Sequence, residues 1–387
     1  MSGEKADSSP RRNARGFGMT IMTLLLAGAL AAPAARAQQT VEPRIVDARL
    51  EKRALEGRLA AQIGEFAAAQ AEPGWIGYAV ATTPDHGESC CWDSWADHER
   101  NGCGRCALES ETRTTIQETR PEVKGVTGGT VHLERPADVI VMLRAADHRL
   151  ERVREFSEDC EIDAGGVRVV WLTGVTGAES VAVLVPLVTG ADFGTDDGRK
   201  VAEGAIAAIA MHADPSADRA LASFTEPSRP EKLRSQAAFW LGNSRREAGL
   251  AVLEKMAKSD PSDHVRDQVA FALSQNGNPR AIDDMIRMAH EDESGHVRGQ
   301  AMFWLAQKAG KKAADAITSA IENDPDTGAK KAAVFALTQM PPDEGVPLLI
   351  QVAKTNKNPA VRKQAFFWLG QSKDPRALAF FEEVLAR

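Results

Sequence analysis

No catalytic arrangement can be assembled from this chain of 387 residues. It has no His-Glu-x-x-His, no phosphate-cradling glycine loop and no Gly-x-Ser-x-Gly, so the common zinc, nucleotide and acyl-transfer chemistries leave no signature. Its eight histidines are scattered, and His264 and His296 merely hold equivalent places in a repeat. The reading is therefore non-enzymatic, with no cofactor implied. A surplus of positive charge is missing too. The formal charge is −7, and residues 1–37 hold five of the 47 basic residues but only two of the 54 acidic ones, leaving −10 for the remainder. A chain that acidic has no general attraction for phosphate backbones or anionic lipid, which excludes nucleic acid as an expected partner. Long apolar runs are also lacking. The one at Met19–Ala32 is too short and too alanine-rich to span a membrane.

That run has a different explanation. Arg11, Arg12 and Arg15 precede it, and Ala35-Arg36-Ala37 follows it before Gln38. Basic region, short apolar core and small-x-small exit make residues 1–37 a signal peptide, cleaved after Ala37. The expectation is a periplasmic or secreted protein with no integral membrane span after signal removal.

Residues 43–69 carry Val46, Leu50, Leu59, Ile63 and Phe66 mostly three or four apart, which predicts an N-terminal helix within 38–72. Pro73-Gly74 ends it. Short β-rich runs follow at Trp75–Val80, Thr130–Leu133, Asp138–Leu143, Leu150–Phe156 and Val167–Leu172, with Asp147-His148 as a hairpin turn. These predict a small antiparallel β domain over 73–172, interrupted by a polar insertion at 84–128. Glu179–Leu187 reads as a helix within a cap, 173–200, because a terminal repeat must hide one apolar face.

The insertion holds Cys90, Cys91, Cys103 and Cys106, with Cys160 further on. Counted with His86 and His98 as ligands, the cluster could bind zinc, and Cys103-x-x-Cys106 could do thiol chemistry. Export favours disulfides, with one of the five cysteines left over.

From 201 onward one motif recurs at a step of 32 residues. Val201-Ala202, Leu233-Arg234, Val265-Arg266, Val297-Arg298, Ala329-Lys330 and Val361-Arg362 mark it, and RSQAAFWL, RDQVAFAL, RGQAMFWL, KKAAVFAL and RKQAFFWL repeat the text after it. Such a period, with two helix-length apolar patterns per unit, predicts an all-α solenoid of six units over 201–387 and an α+β multidomain chain overall. Leu233-Arg234-Ser-Gln-Ala237-Ala238-Phe-Trp-Leu241-Gly242 and Val361-Arg362-Lys-Gln-Ala365-Phe-Phe-Trp-Leu369-Gly370 resemble HEAT-like repeats of the phycobilisome-lyase type. The layout is similar to that of uncharacterised exported bacterial HEAT-repeat proteins. The resemblance implies a helical solenoid that binds, with lyase-like ligand handling as an alternative activity.

At 100° per residue, Leu233, Ala237 and Leu241 share the core arc of the first helix, and a second stripe lies well away from it. That stripe contains Gln236-Phe239-Asn243, Gln268-Phe271-Gln275, Gln300-Phe303-Gln307, Phe335-Gln339 and Gln364-Phe367-Gln371. Amides can bond an extended peptide backbone and aromatics can hold side chains, so these residues are candidates for binding a protein or peptide in the cell envelope. Wedging of each Phe against the next unit is the alternative. The basic ladder is expected to pair with loop carboxylates such as Asp263 or Asp326. The alternation Ala208, Trp240, Ala272, Trp304, Ala336, Trp368 is expected to fill the space between units.

Overall fold

The structure is a computed structural model that describes residues 43–84, 106–109, 137–158, 160–308 and 310–386. The predicted helix over 43–69 is corrected. Two short strands, β1 (Arg44–Val46) and β2 (Arg49–Ala54), precede a helix limited to α1 (Leu59–Ala69). Asp47 and Gly57 take left-handed φ values of 47° and 74°, which a continuous helix cannot contain. Between them the chain runs extended because β2 pairs along its whole length with β8 (Arg168–Thr173).

Five strands form the main sheet, in the order β2, β8, β3 (Gly74–Ala81), β5 (Asp138–Ala146), β6 (Arg149–Ser157). The sheet is mixed rather than antiparallel. Both β2 and β3 lie parallel to β8, as a strand–helix–strand crossover through α1 requires, while β3–β5 and β5–β6 are antiparallel. The predicted turn at Asp147-His148 joins β5 to β6 with both residues at positive φ, a geometry matched to hairpin twist. A second sheet contains β1, β7 (Glu161–Asp163) and β4 (Cys106–Ala107). The predicted strand at Thr130–Leu133 lies outside the described residues.

Strand alternation divides the main sheet between two cores. Trp75, Ile140, Met142, Val169 and Trp171 face a cluster completed by Leu108, Cys160 and Ile162 of the small-sheet side. Ile76, Tyr78, Val141, Leu143, Val170 and Leu172 face the helices, in one core that continues through every unit of the stack. With both faces buried, β3 and β5 read as nearly unbroken apolar runs.

The cap helix is α2 (Gly177–Thr189), started by a reciprocal capping box between Thr176 and Glu179. Six helix pairs follow. They are α3 (Asp196–Met211) with α4 (Pro215–Phe224), α5 (Glu231–Ser244) with α6 (Arg246–Ser259), and α7 (Asp263–Gln275) with α8 (Arg280–Glu291). Then come α9 (Gly295–Lys308) with α10 (Gly310–Asn323), α11 (Thr327–Leu337) with α12 (Pro342–Thr355), and α13 (Pro359–Gln371) with α14 (Pro375–Leu385). Successive first helices pack on one another more extensively than successive second helices do, so the first helices form the inner side of the stack. Glycine permits two of the closest approaches. A Cβ on Gly204 would run into the Val153 carbonyl where α3 crosses β6, and one on Gly242 would run into the Ala272 carbonyl between α5 and α7.

The basic ladder is structural, with partners other than those expected. Arg234 pairs with Asp260, Arg266 with Asp292 and Arg298 with Asp324, not with Asp263 or Asp326. Each carboxylate sits at the end of the unit's second helix. It also accepts a backbone N–H of the following turn, from Ser262, Ser294 or Asp326. Arg266 and Arg298 donate in addition to the carbonyls of Asp260 and Asp292, so each unit is tied to the one before it. At 356 an asparagine takes the aspartate's place, and Arg362 donates to the carbonyl oxygens of Asn356 and Lys357.

Candidate functional site

The inner side of the stack carries a run of rings in mutual contact. Phe239 stacks on Phe271 with ring centroids 6.1 Å apart, and Phe303 stacks on Phe335 at 5.9 Å. Between those pairs Trp304 touches Phe271 at 4.7 Å and Phe303 at 4.9 Å. Trp368 does the same for Phe335 and Phe367, both at 4.9 Å. Trp240 starts the series against Phe239 at 5.0 Å. The Trp/Ala alternation explains the rhythm. Where the next unit has Ala272 or Ala336, phenylalanine stacks directly on phenylalanine; where it has Trp304 or Trp368, the indole is interposed. Face-offset and edge contacts of this kind add about 0.5–1.5 kcal/mol per pair beyond burial.

These rings are neither fully buried nor fully free. Phe239, Phe271, Phe303 and Phe335 are half-buried, while Phe367 is 53% exposed. They pack sideways on one another and leave part of their surface to the groove. The expected filling role of the tryptophans is therefore combined with a place in the stripe. A signal for this lay in the 64-residue period of the tryptophans, twice the unit length.

The amides flank the rings, but they do not bond one another in a continuous ladder. Gln236 donates to Glu203 of the preceding unit at 3.2 Å, and its oxygen is buried without a hydrogen-bond partner. Gln275 and Gln339 donate to the neighbouring hydroxyls of Ser274 and Thr338. Gln268, Gln300 and Gln364 are half-buried, and Asn243, Gln307 and Gln371 are exposed. Across the same face His296 meets Asp267 at 2.8 Å. Burial holds the Asp267 carboxyl above its ordinary range, against the opposing pull of His296.

This face also holds a cavity of about 480 Å³ where β6 meets the first two units. Val153, Ile206, Phe239 and Trp240 supply its apolar surface, and Arg154, Glu155, Glu203 and Gln236 its polar surface.

Behind that cavity lies a buried relay whose only hint in the sequence was the single tyrosine. The Ala208 carbonyl can only accept, so the His212 Nδ1–H donates to it at 2.6 Å. His212 Nε2 is then an acceptor and takes the Ser180 hydroxyl at 2.7 Å, while Ser180 Oγ accepts from Tyr78 at 2.8 Å. Burial lowers the His212 pKa to about 4, with the Asp214 carboxylate opposing and Arg245 assisting, and burial raises that of Tyr78. The three residues join sheet, cap helix and first unit. All are closed off from solvent, so the relay positions these elements and reaches no substrate.

Of the cysteine candidates, Cys90, Cys91 and Cys103 lie outside the described residues, and Cys106 is placed only as part of β4. Cys160 is buried beside Ile162 and is disulfide-bonded. Beside it Glu109 accepts from Trp75 and Arg144, fixing the described part of the insertion to the sheet. Among the described residues no helix is long and apolar enough to cross a membrane.

Comparison with known proteins adds to this geometry. No curated protein matches the chain. A structure of human deoxyhypusine hydroxylase in complex with glycerol is 14% identical, with a TM-score of 0.29, covering 55% of this chain and 80% of that one. A chain from a structure of Kap95p with RanGDP is 18% identical, with a TM-score of 0.33, covering 50% of this chain and 29% of that one. Likenesses at those scores carry no argument about activity. The family model for HEAT repeats matches residues 219–306 and 314–387. The matched part of the chain, from α4 to the last helix, is thus built of HEAT-like repeats, paired helices stacked at a step of 32 residues.

Proposed function

We propose that this chain is a non-enzymatic scaffold that holds an extended segment of a protein partner along the inner side of its HEAT-like stack. The observation that carries this reading is the ring series from Phe239 to Phe367, half-buried as far as Phe335, exposed at Phe367, and flanked by Gln268, Gln300 and Gln364. A stripe serving packing alone would bury its rings; a stripe serving a partner keeps ring surface and amide groups open to the groove. Solenoids of this kind typically act as protein-interaction scaffolds through such extended inner surfaces. With residues 1–37 read as an export signal, the partner belongs to the cell envelope.

The double variant Phe271→Ala with Phe303→Ala tests the reading. Each ring is half-buried, so each deletion is expected to cost about 2 kcal/mol, less than the roughly 3–5 kcal/mol of a fully buried Phe. The variant should remain folded by circular dichroism and lose whatever protein the wild type captures reproducibly from envelope extract. Unchanged capture by the folded variant would remove the inner stripe from consideration.

A further inference from the structure

One second helix carries a residue out of pattern. Where the other units have Ala220, Val252, Ala316, Leu348 and Phe380, α8 has Asp284. Its side chain is only 3% exposed, in a column that is otherwise apolar. A buried carboxylate is unfavourable unless each oxygen finds a partner. Arg287, one turn on, meets Oδ1 and also reaches Glu254 at 3.1 Å. Oδ2 is buried with no hydrogen-bond partner.

Asp284 lines a cavity of about 430 Å³ between α6 and α8. Ala257 and Met288 give the cavity apolar wall, and Glu254 and Glu291 stand in it as well. Its lining holds six carboxylates against three cations, so an anion is disfavoured and a cation favoured. Among the described residues no group of three ligating side chains is placed to hold a metal ion. What remains is an organic cation small enough to reach one carboxylate oxygen while laying a stem on apolar wall.

We propose that this cavity binds an alkylammonium group, with the ammonium held by Asp284 and the alkyl stem lying on Ala257 and Met288. Arg287 covers the carboxylate with its own side chain 39% exposed, and an arriving ammonium reaches Oδ2 by displacing it toward Glu254, to which it already bonds. The same chemistry is offered by a free alkylamine and by a lysine side chain of a protein. The site lies among the second helices, so its fate is independent of the inner-side reading.

Isothermal titration of the full chain with n-butylammonium, and separately with N-acetyl-lysine methylamide, tests the proposal, with butyrate as the anionic control. Saturable one-site binding of at least one ammonium probe is expected, and none of butyrate. Stronger binding of the lysine derivative assigns the source to a protein side chain, and stronger binding of the amine to a free ligand. Asp284→Asn keeps the shape and should weaken binding about ten- to a hundredfold, as loss of a charge-assisted contact does. Asp284→Leu, which places there the residue found at the equivalent position 348, should abolish it in a chain that still melts cooperatively. No binding of either ammonium probe to the wild type, or Asp284→Asn binding as the wild type does, overturns the proposal.

Discussion

Replacing Asp292 by alanine is expected to destabilise the stack by about 3–5 kcal/mol, a very large effect for one side chain at the end of a helix. The reason is what the substitution leaves behind. Arg266 grips Asp292 through two bonds, at 2.8 and 3.1 Å, with the two side chains 6% and 3% exposed. Without the carboxylate, the buried Arg266 Nε–H has no acceptor, Nη2 keeps only the exposed Glu293, and the Ser294 N–H loses its acceptor as well. The pair itself need not be strongly stabilising, because taking two charges out of water offsets most of their attraction. Changing both partners to apolar residues, Arg266→Met with Asp292→Leu, is therefore expected to cost clearly less than Asp292→Ala alone. Urea denaturation of the three variants measures this. A loss below about 1 kcal/mol for Asp292→Ala would show that the ladder does not tie the units together.

Acid is expected to unlock the junction between sheet and stack. His212 has a folded pKa lowered to about 4 against an ordinary value of 6.5, chiefly by burial. The unfolded chain therefore binds the proton first. Stability from the neutral imidazole is fully present above pH 6.5 and is lost as pH falls toward 4. The shift corresponds to about 3 kcal/mol, at 1.36 kcal/mol per pKa unit. His212→Gln should flatten that part of the stability–pH curve while lowering stability at neutral pH. Ser180→Ala should cost about 1–3 kcal/mol at pH 7, since it leaves both the Tyr78 hydroxyl and His212 Nε2 without partners. An unchanged pH slope in His212→Gln would assign the acid sensitivity to carboxylates instead.

Features encoded locally could be read in the sequence. The six units declare themselves because each must present the same apolar arc to its neighbours, and Asp147-His148 because those residue types tolerate positive φ. Features that depend on distant partners could not. Val46 and Leu50 have helix-compatible spacing, yet Leu50 pairs with Val169, a residue more than a hundred positions away. The partners of the basic ladder left a signal that was there to use: Asp260, Asp292, Asp324 and Asn356 recur at the unit step. Tyr78, Ser180 and His212 left almost none, since three single residues from three elements form no pattern until they meet. The inner stripe was half legible. Its phenylalanines and amides follow from the repeat, but the entry of Trp304 and Trp368 depends on alanine in the intervening units opening space for an indole.

The inner side as the partner-binding surface is most directly tested by site-specific photo-cross-linking in envelope extract. A photoreactive side chain at Gln307, exposed on the inner stripe, is compared with one at Lys255, exposed on a second helix. A discrete adduct from position 307 and none from 255 is the expected result. Adducts from 255 alone would place the binding surface on the outer helices and contradict the account.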